Sequence, residues 1–299
     1  MIDANVDEDA TGMFETLRPH LTRVAYRMLG SVSDADDAVQ DAFLRWHGLA
    51  HETIREPAAF LTRTITHLCL DRLKSAQRTR ETYVGPWLPE PIVDFAPSDD
   101  GHDISLVLMM ALERLSPIER AAFLLHDVFG VGFDEIANTL GREVPTCRQL
   151  AARARRHIRD ARQRFPLDPA EGSRIADAFF EASRLDDAAG LQRLLAEDAM
   201  AYTDGGGIRP AAINPIVGRD HITAMFRGLA RKVDFARPPL LRRGWINGLL
   251  GFVTVERGDV LQTTALHAED GLIRSIYIVR NPHKLRHLDI AAEDWRTIQ

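Results

Sequence analysis

The sequence predicts a multidomain protein in which two all-α domains precede an α+β domain with a cone-shaped sheet. Three observations support this fold class. Apolar residues recur at helical spacing in two segments, a proline-rich linker lies between those segments, and strand-like runs follow only toward the C-terminal end. Since 299 residues suffice for about two or three domains, each segment is expected to form its own domain.

The composition is that of an ordinary globular chain, with 45% hydrophobic residues, 27% charged residues and a net charge of −6. No apolar run approaches the ~18–20 residues of a membrane span, and the N-terminal stretch is acidic, unlike a signal peptide. The two cysteines, Cys69 and Cys147, lack metal-ligand spacing. A cytoplasmic location is therefore expected, with no metal, no cofactor and no membrane partner.

The first helical domain is predicted over residues 10–82. One helix ends at Gly30, Ser33 with Asp36 is predicted to cap a second, and Pro57 begins a third. The second helix has an acidic face that repels DNA phosphate, formed by Asp34, Asp36, Asp37 and Asp41. The helix dipole explains the first two of these residues. The other two extend a full turn further, so a basic protein partner is predicted.

A helix-turn-helix is predicted within the second helical domain, residues 103–165. Ser116 to Glu119 form a strong helix start, and a short helix over Asp134–Leu140 ends at Gly141 before a basic helix begins near Pro145. The basic helix has a large excess of arginine, which phosphate neutralisation requires and internal ion pairing does not explain. DNA contact is predicted at Thr146, Arg148, Gln149, Arg153 and Arg156.

The linker is predicted over residues 83–102 and begins with the sequence GPWLPEPIVD. Its prolines fix the backbone in an extended form, and Trp87 is a large aromatic residue between them. We expect the linker to dock onto the C-terminal domain, with Trp87 as its buried residue, at the turn-forming Asp204–Gly207 and Asn281–Pro282. A passive proline spacer is the alternative.

The α+β domain is predicted over residues 170–290. Two helical stripes precede strand-like runs at 249–256, 259–267 and 272–279, and Asp270-Gly271 indicates a hairpin between the last two. Four residues could be interpreted as an acid–base set, but their spacing does not require catalysis, and no enzyme is predicted: Asp204, Asp220, His221 and His267.

Three stretches together resemble bacterial extracytoplasmic-function (ECF) sigma factors of the sigma-70 type. They are MLGSVSDADDAVQDAFLRW, FLTRTITHLCLDRLKSAQR, and LSPIERAAFLLHDVFG followed by FDEIANTLGREVPTCRQLAARARRHI, within about residues 10–163. The tail is similar to the SnoaL-like, NTF2-fold extension of the SigJ-type subgroup, which has WLPEP, DGGG and NPDKL motifs. Here Ile208 follows the glycines in place of a basic residue, and His283 replaces the acid of the last motif.

This resemblance implies a transcription initiation factor that binds promoter DNA and core RNA polymerase at its β′ clamp and β flap. Contacts with the −10 element would come from Arg63, His67, Arg72 and Lys74, although His67 could equally be a core histidine. Polymerase would be bound by Asp34, Asp37 and Asp41. The regulatory contacts between domains would come from Trp87, Leu88, Pro89, Glu90, Pro91, Asp204, Gly205, Gly206, Gly207, Asn281, Pro282, Lys284 and Leu285. The resemblance of the tail to SnoaL-like domains also implies a small-molecule ligand as a potential partner of the C-terminal domain. The rival hypothesis is a ligand-sensing helix-turn-helix regulator that acts without polymerase.

Overall fold

The computed structural model describes residues 4–49, 54–94, 106–158, 168–232, 240–256 and 259–288. The chain divides into two compact units. The first comprises residues 1–81 and 111–161, and the second comprises residues 82–110 and 162–299. The described part of the linker, residues 83–94, therefore belongs to the same unit as the C-terminal domain.

The first unit is helical, as predicted. Its N-terminal part consists of α1 (Ala4–Leu29), α2 (Val32–His47) and α3 (Pro57–Glu81). Gly30 ends α1 in the left-handed conformation, with a φ of 69°. The predicted cap of α2 is wrong by two residues, because the Ser31 side chain accepts the hydrogen bond from the Asp34 amide at 3.1 Å. Helix α2 therefore begins at Val32, directly after Ser31, and its first buried residue is Ala35.

The C-terminal part of the first unit contains the predicted helix-turn-helix. Its helices are α4 (Leu106–Leu112, which begins in the second unit), α5 (Pro117–Phe123, continued by a π-helical turn), α6 (Phe133–Leu140) and α7 (Val144–Ile158). Ser116 and Glu119 form the predicted capping box. Gly141, with a φ of 61°, separates α6 from α7. These local predictions are confirmed.

Arg120 joins the two parts of the first unit. Its side chain is buried and donates hydrogen bonds to the Met28 carbonyl at 2.7 Å and to the Leu112 carbonyl at 2.8 Å. Glu113 forms an ion pair with it at 2.8 Å. A buried guanidinium with these partners is costly to expose, so it fixes α5 against the end of α1.

The second unit is the predicted α+β domain. Its helices are α8 (Pro169–Arg184), α9 (Ala188–Leu194) and α10 (Arg219–Ala230). Its strands are β1 (Val93–Asp94), β2 (Leu195–Asp204), β3 (Ile216–Val217), β4 (Leu240–Ile246), β5 (Leu249–Glu256), β6 (Val260–Glu269) and β7 (Leu272–Val279). Within the described residues they form one sheet in the order β1-β4-β5-β6-β7-β2-β3.

The predicted hairpin joins β6 to β7. Asp270 and Gly271 have φ values of 53° and 76°, and Glu269 pairs with Leu272. The parallel pairing of β2 with β7 was not predicted. The sequence of β2, LAEDAMAYTD, contains few residues that favour strands, so its pairing with β7 and its packing decide its conformation.

The sheet has two apolar faces, because side chains alternate along its strands. One face packs against α8, α9 and α10 around Phe179 and Ile222. Among the described residues, the other face is covered by parts of 83–94 and 106–110, with Leu88 packed beside Ile246, Tyr277 and other side chains. The second face therefore positions the linker.

Candidate functional sites

The linker extends the sheet at its edge. β1 pairs antiparallel with β4, and the Ile92 amide donates a hydrogen bond of 2.6 Å to the Asn247 side-chain oxygen. The Asn247 amide in turn donates to the Ile92 carbonyl at 2.9 Å. The backbone of the linker is thus held in the way that an added strand is held.

Asp204 is the centre of the linker contact. It lies at the end of β2, and its side chain is 0% exposed. One carboxylate oxygen accepts hydrogen bonds from the Tyr83 hydroxyl at 2.5 Å and the Gly206 amide at 3.1 Å. The other accepts from the Leu88 amide at 2.9 Å and the Lys284 ammonium at 2.8 Å. These partners compensate the desolvation of a buried carboxylate.

Lys284 contacts both the linker and Asp204. It lies at the end of a short 3-10 turn, Pro282–Lys284, and is buried. Its ammonium also donates to the Leu88 carbonyl and lies 4.0 Å from the centroid of the Trp87 ring. A cation over an aromatic face is attracted by the ring quadrupole. One lysine therefore holds the linker by its backbone and by its tryptophan.

Tyr83 completes this cluster, and sequence reasoning missed it. Burial, together with the neighbouring Asp204 carboxylate, raises the pKa of the Tyr83 hydroxyl above its usual value. The hydroxyl therefore remains protonated and donates to Asp204, while it accepts from the Asn281 amide nitrogen at 2.8 Å.

Leu88 enters the core of the C-terminal unit, and Trp87, the predicted anchor, lies at the edge of this contact. Leu88 is 0% exposed, whereas Trp87 is half-buried against Lys284. In an extended chain, neighbouring side chains point to opposite sides, and Leu88 faces the sheet. Four further predicted regulatory residues are also buried: Pro89, Glu90, Pro91 and Leu285.

The glycines after Asp204 permit close approach. Gly206 and Gly207 have φ values of 61° and 71°, which favour glycine. A Cβ on Gly206 would lie 2.2 Å from the Asn281 side chain, and one on Gly205 would lie 2.1 Å from the Arg209 carbonyl oxygen. A Cβ on Gly207 would lie 3.3 Å from the side chain of Val84, so Asn281, the loop itself and the linker all approach these glycines closely.

The residues predicted to contact the −35 element share one exposed face of α7: Thr146, Arg148, Gln149, Arg153 and Arg156. The opposite face is buried and consists of Cys147, Ala151, Ala154 and Ile158. Arg155 lies outside the predicted set and donates to Asp127 at 2.7 Å. The packing of α7 therefore directs the predicted DNA-contacting side chains toward solvent.

The acidic face of α2 is partly paired with α3. Asp34 and Asp37 are exposed, whereas Asp41 accepts a hydrogen bond from Arg72 at 2.7 Å. This pairing joins a predicted polymerase residue to a predicted −10 residue, which sequence reasoning did not foresee.

The other predicted −10 residues lie along α3. Arg63 and Lys74 are exposed, and Lys74 pairs with Asp71 at 3.0 Å. His67 is not a core residue: its ring is exposed, and one ring nitrogen contacts the Thr139 carbonyl of α6. The helix-turn-helix therefore contacts the predicted −10 face within the first unit.

The four residues considered as an acid–base set are spread over three elements, β2, β6 and α10. Asp204 is in the linker contact, and His267 is buried on β6 beside Glu269 at 3.5 Å. Burial lowers the pKa of His267 below its usual value. Asp220 and His221 are exposed at the start of α10. The structure does not assemble them as one site.

Asn247 is another contact residue that sequence reasoning missed. It has a φ of 48° and precedes Gly248, so Asn-Gly forms the turn between β4 and β5. That dipeptide is itself a hairpin signal that could have been used. Among the described residues, no helix has the length and apolar character needed to cross a bilayer.

Comparison with known proteins identifies the class of protein to which this chain belongs. The family described as Sigma-70 region 2 matches residues 13–79, and Sigma-70, region 4 matches residues 105–158. The chain is 35% identical over 286 residues to the ECF RNA polymerase sigma factor SigJ of Mycobacterium tuberculosis, with 91% of each chain covered. The chain therefore belongs to the ECF RNA polymerase sigma factors.

The structural comparison agrees with this assignment. The crystal structure of Mycobacterium tuberculosis SigJ matches with a TM-score of 0.74 and 33% identity, over 92% of this chain and 98% of that chain. A probable ECF sigma factor, SigI of the same species, is 37% identical over 172 residues, which cover 55% of this chain and 59% of SigI. The predicted family and the predicted multidomain fold are confirmed.

Proposed function

We propose that this protein directs core RNA polymerase to specific promoters and that α7 contacts the −35 element in the major groove. The observation that supports this function is the exposed face of α7. The sequence of α7 contains no acidic residue, and its buried face leaves Arg148, Arg153 and Arg156 toward solvent. Arginine neutralises phosphate and donates two hydrogen bonds to guanine, so one helix supplies both positioning and base contact.

The polymerase contact is assigned to α2. Asp37, Asp41 and Leu44 follow helical spacing, and Leu44 is 60% exposed. An exposed leucine beside carboxylates is unsuited to DNA phosphate and suits a protein surface that is basic around an apolar centre. The partner that fits is the β′ clamp of core polymerase.

Recognition of the −10 element is assigned to the exposed side of α3. In the free protein the Thr139 carbonyl contacts His67, and Asp41 pairs with Arg72. In these contacts, the His67 and Arg72 side chains, which we expect to bind a melted DNA strand, are already engaged by other residues of the protein. We therefore expect α6 to leave α3 when the protein binds polymerase and promoter.

The C-terminal unit is assigned a regulatory role through the linker. The buried Asp204–Lys284 pair and Leu88 hold the chain that connects the two DNA-binding domains. Fixing this connection limits the separations that the two domains can adopt. Releasing the linker is therefore expected to change initiation without changing the contacts that α7 makes with a duplex.

Run-off transcription tests the central proposal. The full chain and core polymerase are incubated with a template that contains the protein's own upstream region, and a transcript that requires both is expected. Arg148→Ala should weaken initiation, whereas Arg174→Ala, which removes an exposed arginine of α8, should not. Binding to the duplex without polymerase and no transcript would instead favour the ligand-sensing regulator.

A further inference from the structure

The C-terminal unit contains a cavity of about 330 Å³ between its sheet, α8 and α10. Its walls are mostly apolar, with Phe179, Met225, Phe226, Leu229, Phe252 and Ile278. Allowing about 30 Å³ for a water-sized group, the cavity has space for roughly ten non-hydrogen atoms. An apolar cavity with a few polar groups at one place is the usual form of a small-molecule site.

Most polar groups around the cavity already have partners. Arg184 donates two hydrogen bonds to Glu256, at 3.1 and 2.6 Å, and this pair is buried. Gln262 donates to the Thr264 hydroxyl at 3.2 Å. The Thr203 hydroxyl accepts from the Ala212 amide at 2.7 Å. Each of these side chains is therefore held to the wall by at least one hydrogen bond, and both Nη groups of Arg184 are engaged by a carboxylate.

Arg280 differs from Arg184 because its hydrogen bond goes to a backbone carbonyl and not to a carboxylate. It lines the cavity and donates from Nη1 to the Pro210 carbonyl at 2.8 Å. Its Nε is buried and has no hydrogen-bond partner among the described residues. Burial lowers the pKa of its guanidinium, although Glu256 opposes this shift. Since Arg184 already neutralises Glu256, Arg280 leaves one positive charge in excess at the cavity wall.

We propose that this cavity binds a small amphipathic monocarboxylic acid, with the carboxylate on Arg280 and the apolar body among the phenylalanines. The Nε and Nη2 groups of an arginine form one edge with two parallel donors, which matches the two oxygens of a carboxylate. Nη1 is engaged by Pro210, so one such edge remains. A phosphate ester has a third oxygen and more charge, for which the described walls offer no second free cation.

The position of Arg280 connects this cavity to the linker contact. The backbone amides of Arg280 and Asn281 both donate to the Asp204 carbonyl, at 2.8 and 3.0 Å. A ligand on Arg280 would thus bind one residue away from the cluster that holds Tyr83. The proposal concerns the C-terminal unit alone, so its failure would leave the promoter function unaffected.

Titration calorimetry on the full chain tests the proposal with three probes that share an eight-carbon body: octanoate, octanamide and octyl phosphate. Octanoate should bind at least about tenfold more tightly than either of the others, because a charge-assisted bidentate contact exceeds a neutral one by about that factor. Arg280→Met should reduce octanoate affinity by at least about tenfold. Arg274→Met is the matched control, because Arg274 lies on β7, pairs with Asp198 and is not among the residues that line the cavity; this change should leave affinity unchanged.

Two further variants keep the test decisive if Arg280→Met does not fold. Arg280→Lys retains the charge but loses the paired donors, and Met225→Trp fills the cavity; each should weaken octanoate binding. Equal binding of octanoate and octanamide, stronger binding of octyl phosphate, or octanoate binding that survives both variants would overturn the proposal. Failure of octanoate to bind the folded full chain at millimolar concentration would also overturn it.

Discussion

Removing the charge of Lys284 should release the linker from the C-terminal unit. In Lys284→Met, Asp204 would keep its hydrogen bonds to Tyr83, Gly206 and Leu88 but lose its only ion pair among the described residues. The Asp204 side chain is 0% exposed, so solvent cannot replace the lost cation. Breaking a buried ion pair in this way costs about 3–5 kcal/mol.

Hydrogen exchange at the Leu88 amide measures this cost, because that amide donates directly to Asp204. Its protection should fall at least about a hundredfold in Lys284→Met, if opening of the linker is local. Lys74→Met is the matched control, because Lys74 and Asp71 form an exposed pair whose loss should cost no more than about 1 kcal/mol.

A double-mutant cycle separates the interaction free energy of the Asp204–Lys284 ion pair from the effect of changed packing. Asp204→Asn and Lys284→Met should together cost less than the sum of the two single changes, by about 1–3 kcal/mol, because the double variant leaves no unpaired buried charge. Strictly additive costs, or unchanged protection of Leu88 in Lys284→Met, would refute the assignment of this pair as the main linker contact.

Three further predictions concern separate surfaces. Leu88→Ala should destabilise the linker contact by about 2–5 kcal/mol, and limited proteolysis should then cleave the linker faster than in Trp87→Ala. Faster cleavage in Trp87→Ala would instead assign the larger contribution to Trp87. Arg153→Ala should cost about 1–3 kcal/mol of discrimination between the native and a scrambled −35 duplex in anisotropy titrations, and an equal loss on both duplexes would exclude a base contact. Asp37→Lys should abolish co-purification with core polymerase while duplex binding persists, and retained co-purification would place the interface elsewhere.

The sequence by itself determined features that depend on neighbouring residues. The capping box at Ser116 and Glu119, the turns at Gly141 and Asp270-Gly271, and the arginine-rich helix are each specified within a few positions. Family membership could be predicted for the same reason, since the matching stretches are long and continuous. Even there, the predicted cap of α2 at Ser33 was wrong by two residues, because the hydrogen bond to the Asp34 amide is accepted by Ser31.

Only the tertiary structure decided which distant residues meet. Leu88 rather than Trp87 enters the core because Asp204 and Lys284 hold the Leu88 backbone, with its side chain on the sheet. The β2 strand forms because β7 pairs with it across about 75 residues, and no local preference specifies that contact. Asp204 and Lys284 are 80 residues apart, and each alone is an ordinary surface residue type. Their burial as a pair follows from the pairing of β2 with β7, which brings the ends of these two strands together. Desolvation and charge compensation depend on such three-dimensional surroundings, which spacing along the chain does not encode.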